Sequence, residues 1–104
     1  MGKLELQGAV MQLGALAQET RLEAFLLLVK AGASGIMQGE LASRLKVPPQ
    51  TLSFHLKELT SAGLIQRRRQ GTAIYYSVHF EETRRLSNFL SQNCCMDRKK
   101  EKRK

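Results

Sequence analysis

A chain of 104 residues and 11.7 kDa has room for one small domain with a single modest core, which excludes multi-domain enzyme architectures. Apolar residues make up 42% and charged residues 25%, the range of soluble globular proteins, so neither wholesale disorder nor a membrane-embedded chain fits. Seventeen Lys and Arg against nine Asp and Glu give a net charge of +8, and a field of that sign selects a polyanionic partner, nucleic acid first.

Part of the excess is local. Residues 98–104 carry six basic side chains and one acid, which leaves +3 for residues 1–97. A like-charge run with no apolar face is expected to be a disordered, solvated tail, or an additional arm for phosphates. The informative concentration lies in the body, where residues 44–69 hold Arg44, Lys46, Lys57, Arg67, Arg68 and Arg69 against Glu58 alone. No apolar run reaches the length of about 20 residues that a bilayer-spanning helix needs, and the N-terminus lacks the basic-then-apolar pattern of a secretory signal. A cytoplasmic location is expected. Cys94 and Cys95 are neighbours, and because a disulfide between adjacent residues closes a strained ring, a structural staple is not expected.

In chain order, Leu6, Val10, Leu13 and Leu16 recur at three- and four-residue steps and predict a helix over 4–17 with that face inward, weakened by Gly8 and Gly14. After Glu19 and Thr20, residues 21–29 are apolar on most sides and predict a second helix at the centre of the core, stopped by Gly32 and Gly35. Residues 38–45 read as a short helix with Leu41, Ala42 and Leu45 inward. Val47-Pro48-Pro49 interrupts it, and since proline is tolerated in a first helical turn, it opens the next helix. Within 50–61, Leu52, Leu56 and Leu59 form the inner face, and Ala62-Gly63 ends the helix. Residues 64–69 and 73–78, separated by Gln70-Gly71-Thr72, predict a β-hairpin with Ile74 and Tyr76 on one face and Tyr75 and Ser77 on the other. Helical spacing returns over 81–92 with Leu86, Phe89 and Leu90. The expected fold is mainly α with a small β-hairpin: a winged helix-turn-helix in the order α-α-α-α-β-β-α.

A helix-turn-helix uses a short first helix to brace a second one, whose outer face and N-terminal turn enter the major groove, where base edges are distinguishable. Here 38–45 is the brace and 50–61 the reader. The reader offers Gln50, Ser53 and His55 for hydrogen bonds and Thr51 for a thymine methyl, with Phe54 and Lys57 beside them. His55 lies off the leucine face and is assigned to DNA in preference to the core; Phe54 is a candidate to pack under the wing. Arg67, Arg68 and Arg69 run towards Gly71, where a wing would place guanidinium groups on phosphates or in the minor groove. Met11 and Met37 are expected as core or interface filler.

Several stretches are similar to the ArsR/SmtB family of metalloregulatory repressors. They are Leu41-Ala42-Ser43-Arg44-Leu45, Thr51-Leu52-Ser53-Phe54-His55-Leu56-Lys57-Glu58-Leu59-Thr60-Ser61-Ala62-Gly63-Leu64-Ile65, Gly71, Tyr75-Tyr76 and Glu19-Thr20-Arg21-Leu22. The resemblance covers residues 5–92. It implies a homodimer, paired through the first and last helices, that binds near-palindromic double-stranded operator DNA as a repressor when no inducer is present. On that basis residues 1–93 form the DNA-binding and dimerisation domain and 94–104 a vicinal cysteine pair with a basic tail. The chain also departs from the family. Pro48 and Pro49 stand where many members have serine and glutamine, so those contacts are shifted or lost and Gln50 is the best surviving candidate. Residues 35–40 lack the Cys-x-Cys pair of one arsenic-responsive subgroup, and the last helix offers His79, Glu81 and Glu82 without the second half of a zinc set.

Thiol sensing therefore rests on Cys94 and Cys95. Two thiolates suit a soft, thiophilic centre such as As(III) or Sb(III), as arsenite or an organoarsenical, and are too few for zinc. A dithiol site, a site completed across the dimer and a third cysteine in a longer chain all stay open, as does a merely structural pair at a frayed helix end. No resident cofactor is required. The function expected is an operator-binding repressor released by such a ligand. The alternatives are a nucleic-acid-binding winged helix with no inducer and a repressor that senses thiol oxidation. No nucleophile-base set or phosphate-binding glycine loop points to an enzyme.

Overall fold

Leu52, Leu56 and Leu59 are completely buried, so the helix that carries them is the one about which the others pack. The computed structural model describes residues 4–92 and residue 94. The elements in order are α1 (Leu6–Leu16), α2 (Glu19–Ala31), a 3-10 turn (Gly32–Ser34), β1 (Ile36–Met37), α3 (Gln38–Leu45), α4 (Pro49–Ser61), β2 (Ile65–Gln70), β3 (Ala73–Val78) and α5 (Phe80–Ser91). Leu28 of α2, Leu41 of α3, Leu64 and Val78 complete the innermost layer with the three α4 leucines. Each such side chain contributes about 1.5–3 kcal/mol through its removal from water.

The sheet has three strands where the sequence predicted two. β1 pairs antiparallel with β3 (Ile36 opposite Tyr76, Met37 opposite Tyr75), which gives the order β1-β3-β2. A two-residue strand has no alternation to read, so only its partner reveals it. Gly35 makes the approach possible: its φ is +76°, and a Cβ there would drive into the Tyr76 carbonyl oxygen. β2 and β3 pair from Ile65 opposite Val78 to Gln70 opposite Ala73, so Gln70 belongs to the strand and the loop is Gly71-Thr72. Gly71, at φ +64°, takes the positive angle that a two-residue hairpin loop needs.

The first two helices bury different faces from those expected. α1 turns Ala9, Gln12 and Ala15 inward, while Leu6, Val10 and Leu13 are exposed at 67%, 59% and 40%; of the predicted face, Leu16 packs against the core. The small side chains let α1 approach α4 and α5 closely, and the bulkier stripe is left uncovered on a single chain. α2 packs against α1, α3, α4 and β3 as a core helix, but by one side only: it buries Ala24, Phe25 and Leu28 and exposes Leu22, Leu26 and Val29. Met11 and Met37 are likewise exposed and fill no core space in the chain. α3 and α4 bury Leu41, Ala42, Leu52, Leu56 and Leu59 as their spacing predicts. In α5, Leu86 is buried, Phe89 half-buried and Leu90 exposed.

Candidate nucleic-acid interface

The turn between α3 and α4 is set by local chemistry. Lys46 caps α3 in the left-handed region (φ 58°), donating its N–H back to Ala42 and Ser43, and Val47 N–H bonds to Ala42 at 3.2 Å. Pro48 is extended, and Pro49 begins α4 in the first turn, where a missing N–H breaks no helical hydrogen bond. No side chain caps this N-terminus, so the first-turn amides of Gln50 and Thr51 face outward with the positive end of the helix dipole. Gly63, at φ +82°, ends α4 by closing onto Thr60.

α4 presents the reader residues together. Gln50, Thr51, Ser53, Phe54 and Lys57 are exposed along the side opposite the buried leucines. His55 is half-buried. Its Nδ1 accepts a hydrogen bond from Arg21 Nε of α2 at 3.0 Å, and Arg21 also lies over the Phe54 ring, 5.5 Å from its centroid. Phe54 therefore packs towards the start of α2, not under the wing. Burial, and then the Arg21 charge, lowers the His55 pKa below its ordinary value, so the ring is neutral near pH 7.

The three wing arginines are not equivalent. Strand alternation puts Arg67 and Arg69 on the face shared with Ile65, and Arg68 on the other. Arg68 bonds to the Ser34 carbonyl at 3.4 Å and Gln70 Oε1 at 3.3 Å, and its guanidinium stacks 4.9 Å over the Tyr75 ring. It ties the hairpin to the body. Arg69 Nε bonds to the Gly71 carbonyl at the tip, and both Arg67 and Arg69 are exposed.

A buried amide links the reader to the first and last helices. Gln12, 4% exposed, donates Nε2 to the Ala62 carbonyl at the end of α4 (3.3 Å) and to Glu82 Oε1 of α5 (2.9 Å). Glu82 Oε2 accepts from Arg85 at 2.6 Å. Burial pushes the Glu82 carboxyl up, but the hydrogen bonds from Gln12 and Arg85, with the charges of Arg85 and His79, outweigh it and leave the pKa below the ordinary glutamate value. His79 is the N-cap residue of α5, and Arg84 pairs with Glu81.

Cys94 is exposed just past α5, its N–H donating to the Ser91 carbonyl. Cys95 and the basic run 98–104 lie outside the described residues. Among the described residues no three His, Cys, Asp or Glu side chains cluster to hold a metal ion, and no helix is long and apolar enough to cross a membrane. Sequence reasoning gave no role to Arg21 or Gln12. Arg21 carried a signal, since a cation in the first turn of a helix opposes the dipole; Gln12 carried none, as one polar residue on an apolar helix reads as solvent-facing.

A braced helix with a polar, exposed outer face followed by a basic hairpin defines a winged helix-turn-helix DNA-binding protein. A family described as a helix-turn-helix domain matches residues 16–68. The arsenical resistance operon repressor of Bacillus subtilis (strain 168) is 37% identical over 87 residues, 83% of this chain and 78% of the repressor. The transcriptional activator HlyU of Vibrio cholerae is 31% identical over 84% of this chain and 78% of its own length. A solved HlyU structure aligns with TM-score 0.69 at 30% identity, covering 88% of this chain and 99% of that one; another is of reduced HlyU. A homodimeric winged helix-turn-helix DNA-binding domain from Mycobacterium bovis, a possible ArsR-family transcriptional regulator, aligns with TM-score 0.69 at 28% identity over 84% of this chain and 85% of that one. The chain belongs to the ArsR/SmtB family of winged helix-turn-helix transcriptional regulators, which are DNA-binding proteins and not enzymes.

Proposed function

We propose that the chain is a homodimeric, cytoplasmic repressor that binds operator DNA and releases it when trivalent arsenic or antimony, as arsenite or an organoarsenical, binds Cys94 and Cys95. The observation that carries the DNA reading is α4, anchored by three buried leucines while Gln50, Thr51, Ser53 and Lys57 stand exposed on its other side. Phe54 and His55 complete the contact surface, and Arg67 and Arg69 of the wing meet phosphates, with Arg68 holding the wing in place. Phosphate contacts supply most of the affinity and make it salt-dependent.

The uncovered stripe Leu6, Val10 and Leu13 on α1, with Leu90 on α5, supports pairing of two copies through these helices. Residues 1–93 then form the DNA-binding and dimerisation unit, and 94–104 carry the thiol pair and the basic run. The similarity to an arsenical resistance operon repressor supports a thiophilic inducer, and two thiolates have the softness that As(III) and Sb(III) prefer. Ligand bound just after α5 acts by favouring a dimer in which the two reading helices lose the groove spacing of about 34 Å, at a cost of about 1–3 kcal/mol in operator affinity.

The test is a fluorescence-anisotropy titration of operator-bound protein. Cys94→Ser and Cys95→Ser are expected to bind operator as the parent does and to ignore arsenite and phenylarsine oxide; release as in the parent removes the cysteines from the mechanism. A second reading, release by thiol oxidation, is favoured by the exposure of Cys94 and the likeness to HlyU. It predicts release by peroxide that is reversed by a reductant.

A further inference from the structure

The first turn of α2 holds a side chain that its own helix does not favour. Arg21 is the third residue of α2, where the positive end of the dipole repels a guanidinium. The side chain turns instead to α4, with Nε on His55 Nδ1 at 3.0 Å and Cζ over the Phe54 ring. The two α4 rings are themselves in contact, their centroids 5.8 Å apart and their planes tilted by 59°. An arginine Nε–H is a donor and nothing else, so Nδ1 is the acceptor and the one proton of the neutral ring sits on Nε2. Burial beside the Arg21 charge keeps a second proton off. A histidine without such a partner exchanges between two tautomers, and so offers a donor and an acceptor in turn.

We infer that Arg21 is a positioning residue for DNA recognition: it locks His55 as the Nε2–H tautomer, so that the imidazole meets DNA only as a hydrogen-bond donor. The inference rests on the reading of α4 as the DNA-reading helix. Nε2 makes no hydrogen bond among the described residues and remains available. A fixed donor suits phosphate oxygens, N7 and O6 of guanine, N7 of adenine and O4 of thymine, and it is refused by the amino groups of cytosine and adenine. The same guanidinium packs on the exposed Phe54 ring, so one residue of α2 orders two adjacent reader side chains.

The experiment reads the tautomer and the DNA separately. In isotope-labelled full chain without DNA, two-bond proton–nitrogen spectra, assigned with His79→Gln, are expected to show a pyridine-like Nδ1 and a pyrrole-like Nε2 for His55. Arg21→Met is expected to give averaged tautomers. Arg21→Gln, whose amide nitrogen stands at the same bond position as Nε, is expected to restore the wild-type pattern. Against operator DNA recovered by selection from a random library, Arg21→Met weakens binding about twofold, since about half of an averaged imidazole still carries the required Nε2 proton, with the salt slope unchanged, and Arg21→Gln binds as wild type. A loss confined to the operator assigns the acceptor to a base edge, and an equal loss on random duplex assigns it to phosphate. The inference is overturned by an Nδ1–H or mixed tautomer in the wild-type chain, by Arg21→Gln binding as poorly as Arg21→Met, or by a salt slope reduced by about one, which would make Arg21 itself a phosphate contact. Should the tautomer behave as expected while the wild-type chain binds no duplex, it is the reading of α4 that fails.

Discussion

Replacing Gln12 by methionine keeps the length and volume of the side chain while deleting its donors, and the structure sets the size of the effect. The bond to the Glu82 carboxylate, at 2.9 Å, is charge-assisted and worth about 2 kcal/mol; the longer bond to the Ala62 carbonyl, at 3.3 Å, adds about 1 kcal/mol. Part of this returns, because Gln12 Oε1 is buried with no partner among the described residues, and removing it recovers about 1 kcal/mol of desolvation. The net expectation is a loss of about 2 kcal/mol per chain, read by urea unfolding followed by circular dichroism at one fixed protein concentration, since association would add a concentration-dependent term.

The pH dependence carries a sign. The folded-state pKa of Glu82 lies below its ordinary value of 4.5, so its contribution is fully present above that value and is lost as pH falls through the depressed one. The gap between wild type and Gln12→Met is therefore widest at neutral pH and narrows in acid. A gap under about 0.5 kcal/mol, or one that does not narrow, refutes the assignment of Gln12 as the tie between α1, α4 and α5.

Two further outcomes follow from the geometry. Gly35→Ala places a methyl against the Tyr76 carbonyl at a left-handed φ and is expected to cost about 3 kcal/mol or more, whereas Gly39→Ala, in α3 with open space around it, gains about 0.5–1 kcal/mol; thermal melts of the two variants separate them. Arg67→Ala and Arg69→Ala are each expected to lower the salt slope of DNA binding by about one, and Arg68→Ala to leave it unchanged while hydrogen exchange in the hairpin speeds up. Equal slopes for all three variants would show that the contacts of Arg68 to Ser34 and Tyr75 do not distinguish it.

The helix-turn-helix and its hairpin were legible in the sequence because their signals are local. Leu41 and Ala42, the three leucines of α4, Pro49 in the first turn and the hairpin glycine each act within a few residues, and period and turn chemistry suffice to place them. Basic charge near the reader and the wing likewise needed only composition. What stayed hidden depends on partners far along the chain. Two faces of α1 share the helical period, and the choice of Ala9, Gln12 and Ala15 over the leucine stripe was made by Ala62 and Glu82, fifty and seventy residues away. β1 exists because β3 has an edge at Tyr75 and Tyr76 for it to pair with.

The same division holds within the site. Three consecutive arginines look alike in sequence, and the pleat, with Ser34 and Tyr75 on one side, gives Arg68 different contacts from its neighbours. His55 was visible as a polar residue off the leucine face; that its Nδ1 is taken by Arg21, thirty-four positions earlier, was decided only when α2 was laid against α4. Periodicity fixes which residues share a face of one element, and packing between elements determines what each face meets.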